Sequence, residues 1–168
     1  MTPHLEAAYS LARWLTQSRT DADDVLQEAC IRALRAIEQH EGKNSRAWVL
    51  AIVRNTAYTW LNHKRASMLV SIDDLAEKER IEVELRNEHA EATIDPESEM
   101  IARADTKQLE TLIAALPMEF RETLVLRDLQ GLGYREISEV IGAPVGTVMS
   151  RLARARQRLI DAIKRDNS

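Results

Sequence analysis

The sequence predicts an all-α protein made of two small helical domains joined by an acidic flexible linker. Three observations carry this. Gly (5 residues) and Pro (4 residues) are scarce among the 168 positions, while the strong helix formers Ala, Leu, Arg and Glu are plentiful. Apolar residues recur every three or four positions through most of the chain, the spacing of one helix face. Turn residues and one long acidic run divide that pattern. The length, which suits one large domain or two small ones, is therefore read as two.

An opening apolar helix is expected near residues 4–17. TDADD follows it, with Thr20 or Asp21 as N-cap candidate and acids in the first turn, where the helix dipole favours them. The second helix carries Val25, Ala29, Ala33 and Ile37, with Leu26, Cys30 and Leu34 beside them, and stops near His40–Gly42. Cys30 is expected to be a small buried hydrophobe. A third helix runs from about Ser45 to about Lys64, with Trp48, Ile52 and Leu61 as core anchors. These helices form a first domain over residues 1–66, and residues 67–95 form the linker, where the pattern weakens and acids dominate. Asp95-Pro96 is a helix start signal, an N-cap followed by proline at the first helical position. Ile101, Leu109, Leu112, Ile113 and Leu116 mark a helix ending before Pro117. The next carries Phe120, Leu124, Val125 and Leu129 and stops at Gly131–Gly133. The short stretch YREISEVI, 134–141, is broken by Gly142-Ala143-Pro144, and a last helix runs from about Val145 to Ile163. Residues 96–168 thus form the second domain.

Net charge is −4, but the average hides an uneven distribution. Residues 44–66 contain Arg46, Arg54, Lys64 and Arg65 and no acid. Residues 145–165 contain Arg151, Arg154, Arg156, Arg158, Lys164 and Arg165 against Asp161 alone. Acids crowd the stretch 71–110 between them. Two basic blocks separated by an acidic one suggest two DNA-facing surfaces and a solvated linker. One cysteine permits no intrachain disulfide, and no histidine stands at metal-ligand spacing with it, so neither a metal nor a cofactor is expected. No nucleophile–base pair, phosphate loop or pair of catalytic carboxylates is evident, so no enzymatic activity is expected. MTPHLEAAYSLARW lacks the features of a signal peptide and no segment suits membrane insertion, so a cytoplasmic protein is expected.

A short helix and a longer one joined by a tight glycine-containing turn have the layout of a helix-turn-helix. On the last helix Val145, Val148, Leu152, Ala155, Leu159 and Ile163 share one face. Thr147, Ser150, Arg151, Arg154 and Arg158 fall opposite. Arginine can grip guanine edges or phosphates, and Ser and Thr can donate to either. A solvated surface helix has a similar composition; the turn and the amphipathic helix before it are what favour DNA. Thr147 to Arg154 would lie deepest in the groove, with Arg156 and Arg158 nearer the backbone.

The stretch LPMEFRETLVLRDLQGLGYREISEVIGAPVGTVMSRLARARQRL resembles region 4 of extracytoplasmic-function (ECF) sigma factors. The resemblance implies that it binds the minus-thirty-five promoter element, with Ser150 and Arg154 at the DNA-touching positions and Arg151 close by. Many members carry a basic residue where this chain has Met149. DADDVLQEACIRALRAI resembles the part of region 2 that docks on the clamp helices of the polymerase β′ subunit, which implies contacts from Asp24, Gln27, Glu28 and Arg32. Taken alone, those four would be a plain solvated face.

SRAWVLAIVRNTAYTWLNHKR resembles the part of region 2 that melts and reads the minus-ten element. Asn55 matches the asparagine of the flipped-base pocket, His40 a nearby loop position, and Arg54, Lys64 and Arg65 would hold phosphates. Trp48 falls on the apolar stripe and is expected in the core. The resemblance thus implies a region 2 helical bundle at 1–66 and a region 4 helix-turn-helix at 96–168. It further implies core RNA polymerase (β′ clamp helices and β flap) and promoter DNA as partners, and control by an anti-sigma factor in a stress or envelope response. The alternative is a stand-alone helix-turn-helix regulator acting as a dimer, but the chain offers no dimerisation heptads and its first domain would be unexplained.

Overall fold

The computed structural model describes residues 2–70 and 97–166. Among these are seven α-helices: α1 (Thr2–Thr16), α2 (Arg19–Ala36), α3 (Ser45–Val70), α4 (Glu97–Ala114), α5 (Met118–Leu124), α6 (Tyr134–Ile141) and α7 (Val145–Asp166). A 3-10 turn, Ile37–Gln39, ends α2, and a π-helical turn, Val125–Leu129, continues α5. No described helix is long and apolar enough to cross a membrane. The Asp95-Pro96 start signal, the linker beyond Val70 and the Ile101 side chain lie outside the described residues.

Helices α1, α2 and α3 pack around Leu11, Leu15, Val25, Leu50 and Val53, all nearly free of solvent. The N-cap of α2 is Ser18, not Thr20 or Asp21: the Asp21 amide donates to Ser18 Oγ at 3.3 Å. Gln17, at φ 58°, turns the chain directly after α1, so α2 begins earlier than its acids suggest. Burial along α2 stops at Ala29. Leu34 is 68% exposed, and Cys30 and Ile37 are exposed too, so Cys30 is not the core residue its helical spacing predicted. In α3 the buried stripe is Ala47, Leu50, Val53 and Ala57. Trp48, Ile52 and Leu61, the expected anchors, sit at its margin and are only partly buried. Helix α3 also continues to Val70, past its expected end and into the expected linker.

The C-terminal helices pack around Ile113, Leu116, Phe120, Leu124, Leu126, Ile137, Val148 and Leu152. Leu109 and Leu129, expected to join them, are exposed. The two cores are continuous. Helix α3 lies against α6, and α1 against α5. Gln17 Nε2 donates to the Ala114 carbonyl at 2.6 Å and Gln130 Nε2 to the Ala7 carbonyl at 2.9 Å, tying the halves at two further points.

Candidate nucleic-acid interface

The helix-turn-helix is built around Gly142. It ends α6 in the left-handed region, φ 68°, which favours glycine because other residues bring Cβ against the backbone. Its amide donates to the Ser138 carbonyl at 2.9 Å, and the Ser138 hydroxyl donates to the Ala143 carbonyl. Only Ala143 and Pro144 separate Gly142 from α7, where the Val148 amide donates to the Pro144 carbonyl at 3.1 Å.

On α7, Val148, Leu152, Ala155 and Leu159 are buried. That orientation fixes the outward face. Ser150 and Arg154 are exposed, and Thr147 and Arg151 partly so. Ser150 Oγ donates to the Thr147 carbonyl at 3.1 Å, within the helix. Arg151 and Arg154 form no ion pair with any described residue. Arg156 and Arg158 differ. Arg156 grips Asp128 through two bonds of 2.6 and 3.1 Å, and Arg158 lies 4.8 Å over the Phe120 ring. The six candidates therefore divide into four uncommitted side chains at the start of α7 and two anchored ones further along.

On α3 Arg46, Arg54 and Lys64 are engaged. Arg54 Nε and Nη2 donate to the Glu122 carboxylate of α5 at 2.9 and 3.2 Å. Glu122 is 0% exposed and the Arg54 side chain 19%. Tyr58 lies 4.1 Å beneath the guanidinium. Burial, and then the neighbouring Glu122 charge, push its phenol up to about 12, so it stays neutral. Lys64 Nζ donates to Asp21 Oδ2 at 2.6 Å. Arg65 is exposed and lines a groove between α3 and the C-terminal helices, together with Arg54, Met118 and Arg151. Asn55 is exposed, and its Oδ1 accepts from Arg54 Nη1 at 3.3 Å. His40 stacks on Trp48 with ring centroids 4.2 Å apart. That stack accounts for Trp48 at the core margin and places His40 beside α3.

On α2, Gln27 is exposed, while Glu28, Arg32 and Asp24 are partly buried. Arg32 Nε donates to Glu28 Oε1 at 3.2 Å, an i,i+4 pair worth a few tenths of a kcal/mol. Residues 24–32 are followed on the same helix by exposed Leu34, so this end of α2 offers both charge and apolar surface.

Sequence reasoning missed the contacts between the halves. Glu122 stands in the apolar run FRETLVLRDL, and its burial there is the only signal that it needs a cation. Arg46 meets Glu136 of α6 with bonds of 2.8 to 3.2 Å. Burial raises the Glu136 carboxyl, but bonds from Arg46 and the Gly133 amide outweigh it and hold the group below the usual glutamate range.

Two family descriptions match the chain: Sigma-70 region 2 over residues 1–67 and Sigma-70 region 4 over residues 106–159. The chain is 35% identical over 149 residues to the ECF RNA polymerase sigma-E factor of Haemophilus influenzae, covering 88% of this chain and 77% of that protein. It is 32% identical over 145 residues to the Escherichia coli protein of the same name, covering 86% and 74%. The fold is shared with sigma factor RpoE in complex with the anti-sigma factor NepR from Bartonella quintana. That match has a TM-score of 0.74 at 23% identity, over 97% of this chain and 93% of that one. CnrH in complex with the cytosolic domain of CnrY gives a TM-score of 0.65 at 25% identity, over 98% and 85%. With a region 2 bundle at one end, a region 4 helix-turn-helix at the other, and relatives aligned across both, this chain belongs to the ECF family of RNA polymerase sigma factors.

Proposed function

We propose that the two ends of the chain divide promoter recognition, with residues 1–66 serving core docking and minus-ten opening, and residues 96–168 reading the minus-thirty-five element. The observation that carries this is the uncommitted Thr147, Ser150, Arg151 and Arg154 surface at the start of α7, on a chain whose other half matches region 2. Arg156 and Arg158 flank that surface and reach backbone phosphates. Asp24, Gln27, Glu28 and Arg32 meet the β′ clamp helices, and region 4 meets the β flap. Asn55 reads an unstacked base, with His40 nearby and Arg54, Lys64 and Arg65 on phosphates.

Arg54 and Lys64 already hold Glu122 and Asp21. Their contact with DNA therefore exchanges one anion for another, and for Arg54 it requires α3 and α5 to part. An anti-sigma factor is the expected regulator, in line with the RpoE–NepR complex that shares this fold, and a stress or envelope response is the expected setting. Residues 67–95 act as the connection between the two ends. The protein works in the cytoplasm and performs no covalent chemistry of its own.

The test is to mix the protein with sigma-free core polymerase and a promoter set. Specific initiation is expected; failure to bind core or to direct initiation would overturn the reading. Arg154→Ala should weaken minus-thirty-five binding and leave core binding intact.

A further inference from the structure

Met149 is the one large apolar side chain exposed in the first turns of α7. It is 51% exposed and makes no hydrogen bond or ring contact with a described residue. The helix is oriented by its buried neighbour Val148, and each residue turns the helix by about 100°, so Ser150 points away from the core and Met149 stands on the flank between the two. Ile160 is also exposed, but it lies three turns further along, where a recognition helix has left the base edges. Beside Met149 the helix is thin. Ala153 is exposed, and a Cβ added at Gly146 would meet nothing within 4 Å. The thioether therefore stands beside small residues and is half exposed among the described residues.

A thioether offers no strong donor, and its sulfur is a weak acceptor. It cannot do what Ser150 and Arg154 do on polar base edges. The major groove presents one apolar mark, the C5-methyl of thymine. Methionine is soft and unbranched and can settle on such a methyl without a fixed geometry. Taking α7 as the minus-thirty-five reader, as proposed above, we infer that Met149 is a specificity-determining residue that selects a thymine next to the base pairs read by Ser150 and Arg154, through contact with its C5-methyl group.

The experiment uses holoenzyme reconstituted from the full chain and core polymerase, and duplexes with a randomised minus-thirty-five region. The wild type should select thymine at one position. Replacing that thymine by deoxyuridine removes only the methyl and should weaken binding about fourfold, the effect of one methyl's worth of apolar contact. With Met149→Ala the thymine and deoxyuridine duplexes should bind equally, whereas Arg154→Ala should weaken both and keep the difference between them. The inference is overturned if no thymine is sensitive to loss of its methyl, or if Met149→Ala keeps the wild-type sensitivity. It is also overturned if Met149→Ala weakens binding whatever the base, the pattern of a contact with polymerase. If holoenzyme selects no minus-thirty-five sequence at all, the role given to α7 fails and this inference fails with it; if selection persists and depends on Arg154, only the inference about Met149 is at stake.

Discussion

Replacing Arg54 with alanine removes the cation that is hydrogen-bonded to a buried carboxylate. Glu122 is 0% exposed and accepts two bonds from Arg54, at 2.9 and 3.2 Å. Without them the Arg121 charge and the neutral Tyr58 phenol remain near it, but neither replaces the two charge-assisted bonds from Arg54. Losing one member of such a pair costs about 3–5 kcal/mol. Glu122→Gln is milder. It leaves Arg54, at 19% side-chain exposure, able to reach water, and it loses charge-assisted bonds worth about 1.5–3 kcal/mol.

The two changes must therefore couple: Arg54→Ala combined with Glu122→Gln should cost less than Arg54→Ala alone, because no charge is then stranded. Urea unfolding read by circular dichroism measures these differences. The pair bridges α3 and α5, so part of the loss in Arg54→Ala can appear as separation of the halves, which hydrates Glu122. Small-angle scattering would register that as a larger radius of gyration, reversed by adding Glu122→Gln. The reasoning is refuted if Arg54→Ala loses less than about 1 kcal/mol with no expansion, or if the double variant is worse than Arg54→Ala.

Glu136 links the halves through Arg46, and its depressed carboxyl makes that link acid-sensitive. A carboxylate with a lowered folded-state value stabilises the protein above its unfolded value, about 4.3, and that stability is lost as pH falls through the folded value. Glu136→Gln should thus be less stable than wild type at neutral pH, and thermal melts should show the gap closing in acid; a gap independent of pH would contradict the pairing. Gly142 and Gly146 should respond with opposite signs. Gly142→Ala forces a side chain to φ 68° and should cost about 1 kcal/mol, whereas Gly146→Ala, helical and with open space around it, should gain about 0.5–1 kcal/mol in the same urea assay. Asn55→Ala should slow promoter opening more than initial binding, seen as reduced permanganate reactivity at the minus-ten element with retained complex formation.

Most of this protein is legible in its sequence, because the signals are local. The all-α class follows from 3.6-residue periodicity. The helix-turn-helix follows from Gly142 between two amphipathic segments, and the outward face of α7 from the phase of Val148, Leu152, Ala155 and Leu159. Nothing distant is needed to orient a helix with one apolar stripe. Periodicity fails where a stripe continues past the core it serves. Cys30, Leu34 and Ile37 keep the helical spacing of Val25 and Ala29 but lie beyond the packed part of α2, and spacing alone carries no record of where a neighbouring helix stops. The cap of α2 is Ser18 and not an acid of TDADD for a related reason, since Gln17 sets the start through a backbone turn that its residue type does not announce.

Only the tertiary structure decided which cations are committed. In the sequence Arg54, Lys64, Arg151 and Arg154 are alike, basic residues in basic blocks. In the fold Glu122 reaches Arg54 across 68 positions of chain and Asp21 reaches Lys64 across 43, while Arg151 and Arg154 pair with no described residue. Charge pairing depends on distance in space, and the packing of α3 against the C-terminal helices sets those distances. The sequence determined that two basic surfaces exist; the packing determined that Arg54, Lys64 and Arg156 already hold anions while Arg151 and Arg154 pair with no described residue.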